Sequence, residues 1–456
     1  MDVVSALRNQ RMSVYRWYAV ALCVLCGAVD GLDLLLVSYA MPHLPDGFAS
    51  GEAKGLLVSL GFVGYAIGSI GVAPLADRIG RKAVVTGALS FATVILGLTA
   101  LVPNVEMMMF TRLLTGIAVG SMLPLVHVIG DEFASENRRS LCVGLVTLGF
   151  PIGSLIGGLA SLLVINTFDG AWQALFVFGA LVSAAVTTLV WLTLPESVVY
   201  LAGRSSDRKT DKIAAIAARL RLSGVDPSAS PPVAQGADSS VPEKVGVLSP
   251  RYRVRSILLW VGYTCGILGY YFINSWTPQL ISTATGNVET GALVATVISI
   301  GAITGGVFFA LLTLRIIPTK LCWLALGAAV VAQVTFALTL SGGIAMVSAV
   351  VLGMGMQAGL SAYMTSATRM YPAAIRARAL GMMGGFSRVG SITAPLLVGA
   401  LLTVVTARAM YLASSVVVLV ACMAAMALWT NTREVFARGD ADSIEAGETE
   451  RNLARS

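Results

Sequence analysis

A short charged segment, GVAPLADRIGRK at residues 71–82, stands between two long apolar runs and points to the architecture of the chain. Within it Asp77 is followed directly by Arg78, and Gly80 precedes Arg81. An acidic side chain beside arginines at a helix end can form ion pairs that exist in one conformation and break in another. We therefore expect this segment to be a loop between two membrane helices and part of a conformational latch.

The composition of the whole chain agrees with a membrane environment. Of its 456 residues, 56% are hydrophobic and 12% are charged, with a mean hydropathy of +0.81. A soluble domain carries about 25% charged residues. This chain has too few charges to cover a water-soluble surface, so we predict an integral membrane protein.

The apolar runs are long and continuous, which favours helices. A bilayer core needs about 20 apolar residues in helical form, and only helices or closed barrels satisfy the backbone there. The alternation of a barrel strand is absent from these runs. We predict an all-α protein with twelve transmembrane helices in two six-helix bundles. The predicted spans are 17–41, 55–76, 83–102, 107–130, 141–165, 171–195, 256–278, 290–314, 319–340, 343–365, 379–405 and 409–430.

Basic residues are unevenly distributed among the predicted loops. Of the 31 Lys and Arg residues, 27 fall in the two termini and the loops on their side, whereas Lys54 and Arg408 alone occupy the opposite loops. The remaining two, Arg112 and Arg388, lie inside spans. Basic residues concentrate on the cytoplasmic side of membrane proteins, so both termini are predicted to be cytoplasmic.

One long polar loop divides the chain into halves. We predict an N-terminal six-helix bundle at 1–201, a cytoplasmic linker at 202–255, a C-terminal bundle at 256–430 and a cytoplasmic tail at 431–456. The linker is basic at first and then rich in Ser, Pro, Ala and Gly, a composition typical of a flexible connector. It could also bind anionic lipid or a partner.

The two halves carry traces of an internal repeat. An offset of 237 residues aligns Arg78 with Arg315 and Arg139 with Arg376. Parallel repeats of this kind place a substrate site near the membrane midplane, between bundles that rock against each other. At the same offset Leu314 stands opposite Asp77, so the latch is predicted to be one-sided.

The chain resembles the major facilitator superfamily, and residues 71–82 resemble its signature loop. A narrower resemblance, to the bacterial aromatic acid:proton symporters, is carried by VDGLDLLLVSYAMP (29–42), RLLTGIAVGSMLPLVHVIGDEFASENRRS (112–140), GFPIGSLIGG (149–158), WQALFVFGA (172–180), LPES (194–197), SWTP (275–278) and YPAAIRARALGMMGGFSRVGSITAP (371–395). The resemblance implies a proton-coupled transporter of organic acids. It extends the predicted latch to Asp77, Arg78, Gly80, Arg81, Glu132 and Arg139.

Two acidic residues in the first span are candidates for proton coupling. Asp30 and Asp33 are three residues apart and therefore share a helix face. A carboxylate at this depth costs about 2.5 to 3.5 kcal/mol, so the pair must face water, a counter-charge or a proton. The alternative is that one of them only fixes a neighbouring helix through hydrogen bonds.

The two embedded arginines need acidic partners, because an arginine keeps its proton in proteins. Arg388 lies among small residues in GGFSRVGS, so it is predicted to bind a substrate carboxylate, with a structural ion pair as the alternative. Arg112 resembles the fourth-helix arginine of the superfamily, which implies coupling with the aspartates of the first helix.

Aromatic and amide side chains in spans 7 and 10 are predicted to complete the substrate site, because these spans line the cavity in the superfamily that the chain resembles. Tyrosine and tryptophan rings can stack on an aromatic ligand, although they also populate membrane interfaces. His127 is either a proton relay or a hydrogen-bonded structural residue. The predicted substrate-binding residues are Arg388, Asn274, Trp276, Tyr270 and Tyr363.

Enzymatic and nucleotide-driven functions find no motif in the sequence. No phosphate-binding loop and no Cys/His cluster is present, and Cys23 with Cys26 is best explained by packing. The resemblance to the aromatic acid:proton symporters implies a monomeric symporter of the bacterial cytoplasmic membrane that imports a small organic anion, in the first place an aromatic carboxylate such as a hydroxybenzoate, with protons. It needs no cofactor, metal or nucleic acid. The alternatives are transport of a dicarboxylate or sugar acid, a drug or metabolite exporter, and a non-transporting sensor.

Overall fold

The computed structural model of the chain describes residues 3–168, 170–202, 214, 246–250, 252–313, 315–371 and 373–453. All regular secondary structure within these ranges is helical, as predicted. Most of the predicted linker at 202–255 lies outside the described residues, and so does Leu314, so neither prediction is tested by the structure.

Twelve long helices within the described ranges are labelled here in chain order. They are α1 (Val14–Ala40), α2 (Gly51–Ile67), α3 (Arg81–Thr99), α4 (Val105–Glu132), α5 (Gly149–Thr167), α6 (Trp172–Thr193), α7 (Arg253–Thr285), α8 (Val288–Leu312), α9 (Pro318–Thr339), α10 (Gly342–Met370), α11 (Ala373–Leu401) and α12 (Ala407–Leu453). Shorter helices are Val3–Asn9, Ala76–Ile79, Arg139–Thr147 and Val198–Ala202, and α2 continues through a π-turn at Gly68–Val72. The last helix is much longer than the predicted span 409–430.

Capping residues define where several of these helices begin. Ser50 accepts a hydrogen bond from Ala53 N at 3.2 Å at the start of α2, and Asn104 accepts one from Met107 N at 2.9 Å at the start of α4. Side-chain oxygens at this position satisfy amide groups that a helix leaves unpaired. Gly286, with φ +69°, ends α7 in a left-handed conformation that glycine adopts without steric cost.

Eleven helical segments of the described residues are long and apolar enough to cross a membrane. The long helix absent from this set is α11, which carries Arg388 together with several glycines and serines. These residues lower its hydropathy, although it has the length of a spanning helix.

Helix contacts form two groups, one from α1 to α6 and one from α7 to α12. The first group contains the pairs α1–α5, α2–α4 and α3–α6, and the second contains α9–α10, α8–α10 and α7–α12. The groups meet mainly where α2 packs on α11 and where α5 packs on α8. Any cleft between the groups is therefore bounded by these two helix pairs.

Small residues bring the two groups into close contact at one end of the bundle. A Cβ atom added to Gly399 of α11 would lie 2.6 Å from Gly55 Cα and 2.7 Å from Gly51 O of α2. Two hydrogen bonds also join the groups, from Ser59 Oγ of α2 to Ile392 O of α11 at 2.8 Å and between the Oγ atoms of Ser154 of α5 and Ser299 of α8 at 2.7 Å. We call this end, defined by Gly51, Gly55 and Gly399, the sealed end.

The opposite end, which carries residues 71–82, is less covered. A Cβ atom added at Gly71, Gly381 or Gly384 would meet nothing within 4 Å, and Ile70 exposes 77% of its surface. These positions lie on α2 and α11, the same two helices that touch at the sealed end. Contact between α2 and α11 is therefore tight at the sealed end, and the end that carries residues 71–82 is less covered.

Substituting Gly399 by alanine is expected to shift the conformational equilibrium away from this sealed state. The added methyl group must displace the backbone of α2, and such overpacking costs about 1 to 3 kcal/mol. That corresponds to a change of roughly 5- to 150-fold in the equilibrium between sealed and open forms. Alkylation of a cysteine introduced by Phe62→Cys, buried near the seal, measures the open fraction.

The matched control for this substitution is Gly343→Ala at the start of α10. Its added methyl group would meet nothing within 4 Å, so the alkylation rate is expected to stay unchanged. Equal rates for both alanine variants would show that the contact at Gly399 does not limit opening.

Candidate functional site

One ion pair joins α1 to α4 in the interior of the first helix group. Arg112 Nη1 lies 3.2 Å from Asp33 Oδ1 and donates a second hydrogen bond to Asp33 O at 3.0 Å. Both side chains are buried, and the guanidinium also lies 5.3 Å from the centre of the Phe176 ring. Because a charge this deep requires compensation, Asp33 serves as the counter-ion of Arg112.

The second embedded arginine lies between the two helix groups. The Cζ atom of Arg388 on α11 is 3.9 Å from the centre of the Tyr65 ring on α2, a cation–π contact that joins the two groups. Tyr263 and Tyr271 of α7 lie close enough to interact with the same guanidinium. Within the part of the chain that the structure describes, Arg388 contacts aromatic rings and forms no ion pair with a carboxylate.

Asp30 of α1 lies close enough to Arg388 for their opposite charges to attract each other. Its side chain is 1% exposed, and Oδ1 has no hydrogen-bond partner among the described residues. Asp33, by contrast, is fully engaged with Arg112. The structure thus gives the two aspartates different surroundings, although they are only three residues apart.

Aromatic rings from three helices pack next to Asp30 and Arg388. Phe62 of α2 meets Tyr271 of α7 edge to face, with ring centres 4.4 Å apart. Phe150 of α5 lies 6.0 Å from Tyr270 and 6.2 Å from Tyr271. This aromatic layer, defined by Phe62, Tyr65, Phe150, Tyr270 and Tyr271, belongs to both helix groups, so it must rearrange when they move apart.

Three of the predicted substrate-binding residues do not join this cluster. Asn274 Nδ2 donates to Tyr270 O at 2.8 Å within its own helix, and Tyr363 OH donates to Ala421 O at 2.6 Å on α12. Trp276 is completely buried, and its Nε1 has no hydrogen-bond partner within the described ranges. Of the five predicted residues, Arg388 and Tyr270 are the ones that lie together.

The predicted latch residues all lie in the first helix group, at the end that carries residues 71–82. Arg81 forms an ion pair with Glu132, and Glu132 Oε2 accepts a hydrogen bond from Ser197 Oγ at 2.6 Å. The charge of Asp77 also acts on Arg81. These contacts tie the start of α3 to the end of α4.

Two further contacts complete this charged cluster. Arg139 pairs with Asp131, its Nη2 atom lying 2.6 Å from Oδ2. Glu196 Oε1 accepts a hydrogen bond from Lys82 N at 3.0 Å at the first turn of α3, where a carboxylate is favoured. Arg78 contributes its backbone carbonyl to Tyr200 OH, at 3.2 Å, and Gly80 turns the chain with φ +109°.

His127 and the cysteines have ordinary structural surroundings. His127 Nδ1 lies 3.0 Å from Leu123 O in its own helix, and Cys23 and Cys26 are free and buried. No group of three or more His, Cys, Asp or Glu side chains within the described ranges could hold a metal ion.

Several of these residues were not among the predicted site residues. The rings of Phe62 and Phe150 carry no polar signal and look like ordinary apolar positions in the sequence. Asp131 and Glu196 lie in segments that the resemblance had already marked, DEFASENRR and LPES, and only the folded chain reveals their partners.

Comparison with known proteins assigns the family. The chain matches the model of the Major Facilitator Superfamily over residues 23–356 and again over residues 259–451, and it belongs to that superfamily. A helical membrane bundle with a charged and aromatic site between two helix groups agrees with this assignment. The matched relatives are named as transporters rather than as enzymes.

Two relatives and one solved structure are informative. A gallate transporter of Pseudomonas putida is 30% identical over 408 residues, covering 88% of this chain and 89% of that protein. A 4-hydroxybenzoate transporter of the same organism is 31% identical over 408 residues, covering 86% and 87%. The xylose transporter of Escherichia coli in a partially occluded inward open conformation has a TM-score of 0.68 at 15% identity, covering 92% and 98%, which establishes similarity of fold alone.

Proposed function

We propose that this protein is a proton-coupled symporter that imports aromatic carboxylates such as hydroxybenzoates. The observation that carries the proposal is the arrangement of Arg388 on the Tyr65 ring, with Asp30 nearby and the aromatic layer beside them. A guanidinium suits the carboxylate of the substrate, and tyrosine and phenylalanine rings suit its aromatic ring. The names of the two Pseudomonas relatives support the same substrate class.

The proposed topology has twelve spans with both termini in the cytoplasm. It is supported by the excess of Lys and Arg on one side of the predicted spans and by the length of α11, the span of lowest hydropathy. The sealed end then faces outward and residues 71–82 face the cytoplasm. The proposed domains are bundles at 1–201 and 256–430, a linker at 202–255 and a tail at 431–456, in a monomer of the bacterial cytoplasmic membrane.

In the proposed cycle, Asp30 and the substrate carboxylate share Arg388. When the cleft is open outward, Asp30 takes a proton, and Arg388 is released to pair with the incoming carboxylate. Neutralising both acidic groups removes the cost of enclosing a charge in the membrane interior, so the bundles can close around the loaded site. Opening toward the cytoplasm releases the substrate, and Asp30 then loses its proton to that side.

The latch residues are proposed to bias this cycle without touching the substrate. Arg81 with Glu132 and Arg139 with Asp131 hold the cytoplasmic ends of α3 and α4 and the short helix Arg139–Thr147 together as one unit. A rigid unit is needed because the bundles can rock only if each one moves as a body. Asp33 and Arg112 form a corresponding internal tie deeper in the membrane.

Ligand-dependent stabilisation of the purified protein tests the substrate class. Gallate or 4-hydroxybenzoate at 100 times its dissociation constant is expected to stabilise the folded state by about 2.7 kcal/mol, which raises Tm by several degrees. Benzoates and cinnamates are compared with dicarboxylates, sugar acids and neutral sugars at equal concentration. A larger shift with any non-aromatic compound would contradict the proposal.

A further inference from the structure

The outward-facing loops of the proposed topology are predominantly acidic. They contain two basic residues and five acidic ones, which gives this face a negative charge. A carboxylate anion approaching such a face is repelled unless a local positive charge attracts it. The basic residues are Lys54 and Arg408, and the acidic ones are Asp46, Glu52, Glu106, Asp169 and Glu289.

Lys54 lies at the junction of the two helix groups, on the same turn of α2 as Gly51 and Gly55. Its Nζ atom donates a hydrogen bond to Gln279 Oε1 of α7 across this junction, at 3.3 Å. Lys54 is half-buried, and Gln279 is only 9% exposed. The positive charge therefore lies within the sealed end, where the cleft opens outward in the proposed cycle.

The hydrogen bond of Lys54 depends on the closed state, because donor and acceptor belong to different helix groups. Movement of α2 away from α7 breaks this bond. The carboxylate of Asp46 attracts the Lys54 ammonium electrostatically and belongs to the same helix group as Lys54. A lysine ammonium is a compact charge on a flexible stem. It can therefore turn from Gln279 toward an anion that enters the cleft.

We propose that Lys54 is a recruiting site for the substrate carboxylate at the outer mouth of the cleft. Gln279 holds the ammonium while the protein is sealed, and opening releases it to attract the anion before the anion reaches Arg388. This inference rests on the proposed function, because it requires an anionic substrate that enters at the sealed end.

The test is the initial rate of 4-hydroxybenzoate uptake into cells at low and high ionic strength. At low salt, Lys54→Gln is expected to raise KM about fivefold, the effect of one charge at close range in water, with kcat within about twofold. The difference shrinks at high salt, where exposed charges are screened beyond about one Debye length. Lys54→Arg retains the charge and is expected to keep the KM of the wild type.

Two further variants separate recruitment from simple sealing. Arg408→Gln removes the other outward charge, which is exposed and hydrogen-bonded to Leu338 O, and is expected to leave KM unchanged. Gln279→Ala breaks the same hydrogen bond as Lys54→Gln but keeps the ammonium, so KM is expected to stay constant or fall.

The results discriminate between this inference and the function on which it rests. Equal increases of KM in Lys54→Gln and Gln279→Ala would reduce Lys54 to a sealing residue and overturn the proposal. A Lys54→Gln variant with the wild-type KM and salt dependence would also overturn it. A wild-type protein that takes up no 4-hydroxybenzoate would contradict the proposed function, and this inference with it.

Discussion

Replacing Arg388 by glutamine is expected to weaken the binding of aromatic carboxylates by about 2 to 4 kcal/mol, the usual cost of losing one partner of a buried charge pair. This corresponds to roughly 30- to 1,000-fold in the dissociation constant. The loss arises because glutamine supplies neither a charge nor the fork of a guanidinium. Binding of 4-hydroxybenzoate to the purified variant, measured by titration, gives the result directly.

Two neighbouring substitutions serve as controls for Arg388→Gln. Arg388→Lys retains the charge without the planar fork, so its binding should be intermediate, and its Tm without ligand should match that of the wild type. Tyr65→Phe keeps the ring that Arg388 stacks on and removes only the hydroxyl group, so its binding should stay close to that of the wild type. If Arg388→Gln bound 4-hydroxybenzoate within about twofold of the wild type, Arg388 would not be the carboxylate site.

Embedded charges are the part of this site that a sequence can predict well. A charge within an apolar span has few tolerable explanations, and so Asp30, Asp33, Arg112 and Arg388 stand out without any structure. Their rarity also limits the number of pairings. The family resemblance implies that Arg112 couples with the aspartates of the first helix, and the structure pairs it with Asp33.

The orientation of uncharged side chains is much harder to predict. In a helix that is apolar on every side, periodicity does not distinguish the face toward a cleft from the face toward another helix. The chemistry of Tyr363 and Trp276 predicts that they contact the substrate, yet Tyr363 OH donates to Ala421 O on α12 and Trp276 is completely buried. Phe62 and Phe150 line the site, but an apolar ring within an apolar span does not indicate a site residue in the sequence.

The fold is predictable to a similar, limited extent. Helical structure and most span boundaries follow from hydropathy, and the resemblance in residues 71–82 indicates the family. The close approach of α2 to α11 depends on Gly55 and Gly399, which lie in distant parts of the chain and become neighbours only after folding. The tie between Glu196 and the first turn of α3 likewise joins residues 114 positions apart.

The structure separates the two aspartates of α1, and this difference predicts the outcome of replacing each one. Asp30→Asn imitates a permanently protonated carboxyl group at nearly constant volume. Its Oδ1 has no hydrogen-bond partner among the described residues, so the amide breaks no bond there. Exchange of labelled for unlabelled 4-hydroxybenzoate across liposomes is therefore expected to continue, whereas accumulation driven by a pH gradient is lost.

The expected size of this effect is large because coupling is all or none. One proton moving with each substrate allows about tenfold accumulation for each unit of pH difference, whereas the uncoupled Asp30→Asn variant should reach equal concentrations on both sides.

Asp33→Asn is the matched comparison, since it leaves Arg112 buried without its counter-ion. Breaking a buried pair costs about 3 to 5 kcal/mol, so this variant should lose thermal stability together with both exchange and accumulation. Proton-driven accumulation by Asp30→Asn at the wild-type level would exclude Asp30 as the proton carrier and leave Asp33 as the remaining carboxylate in the span.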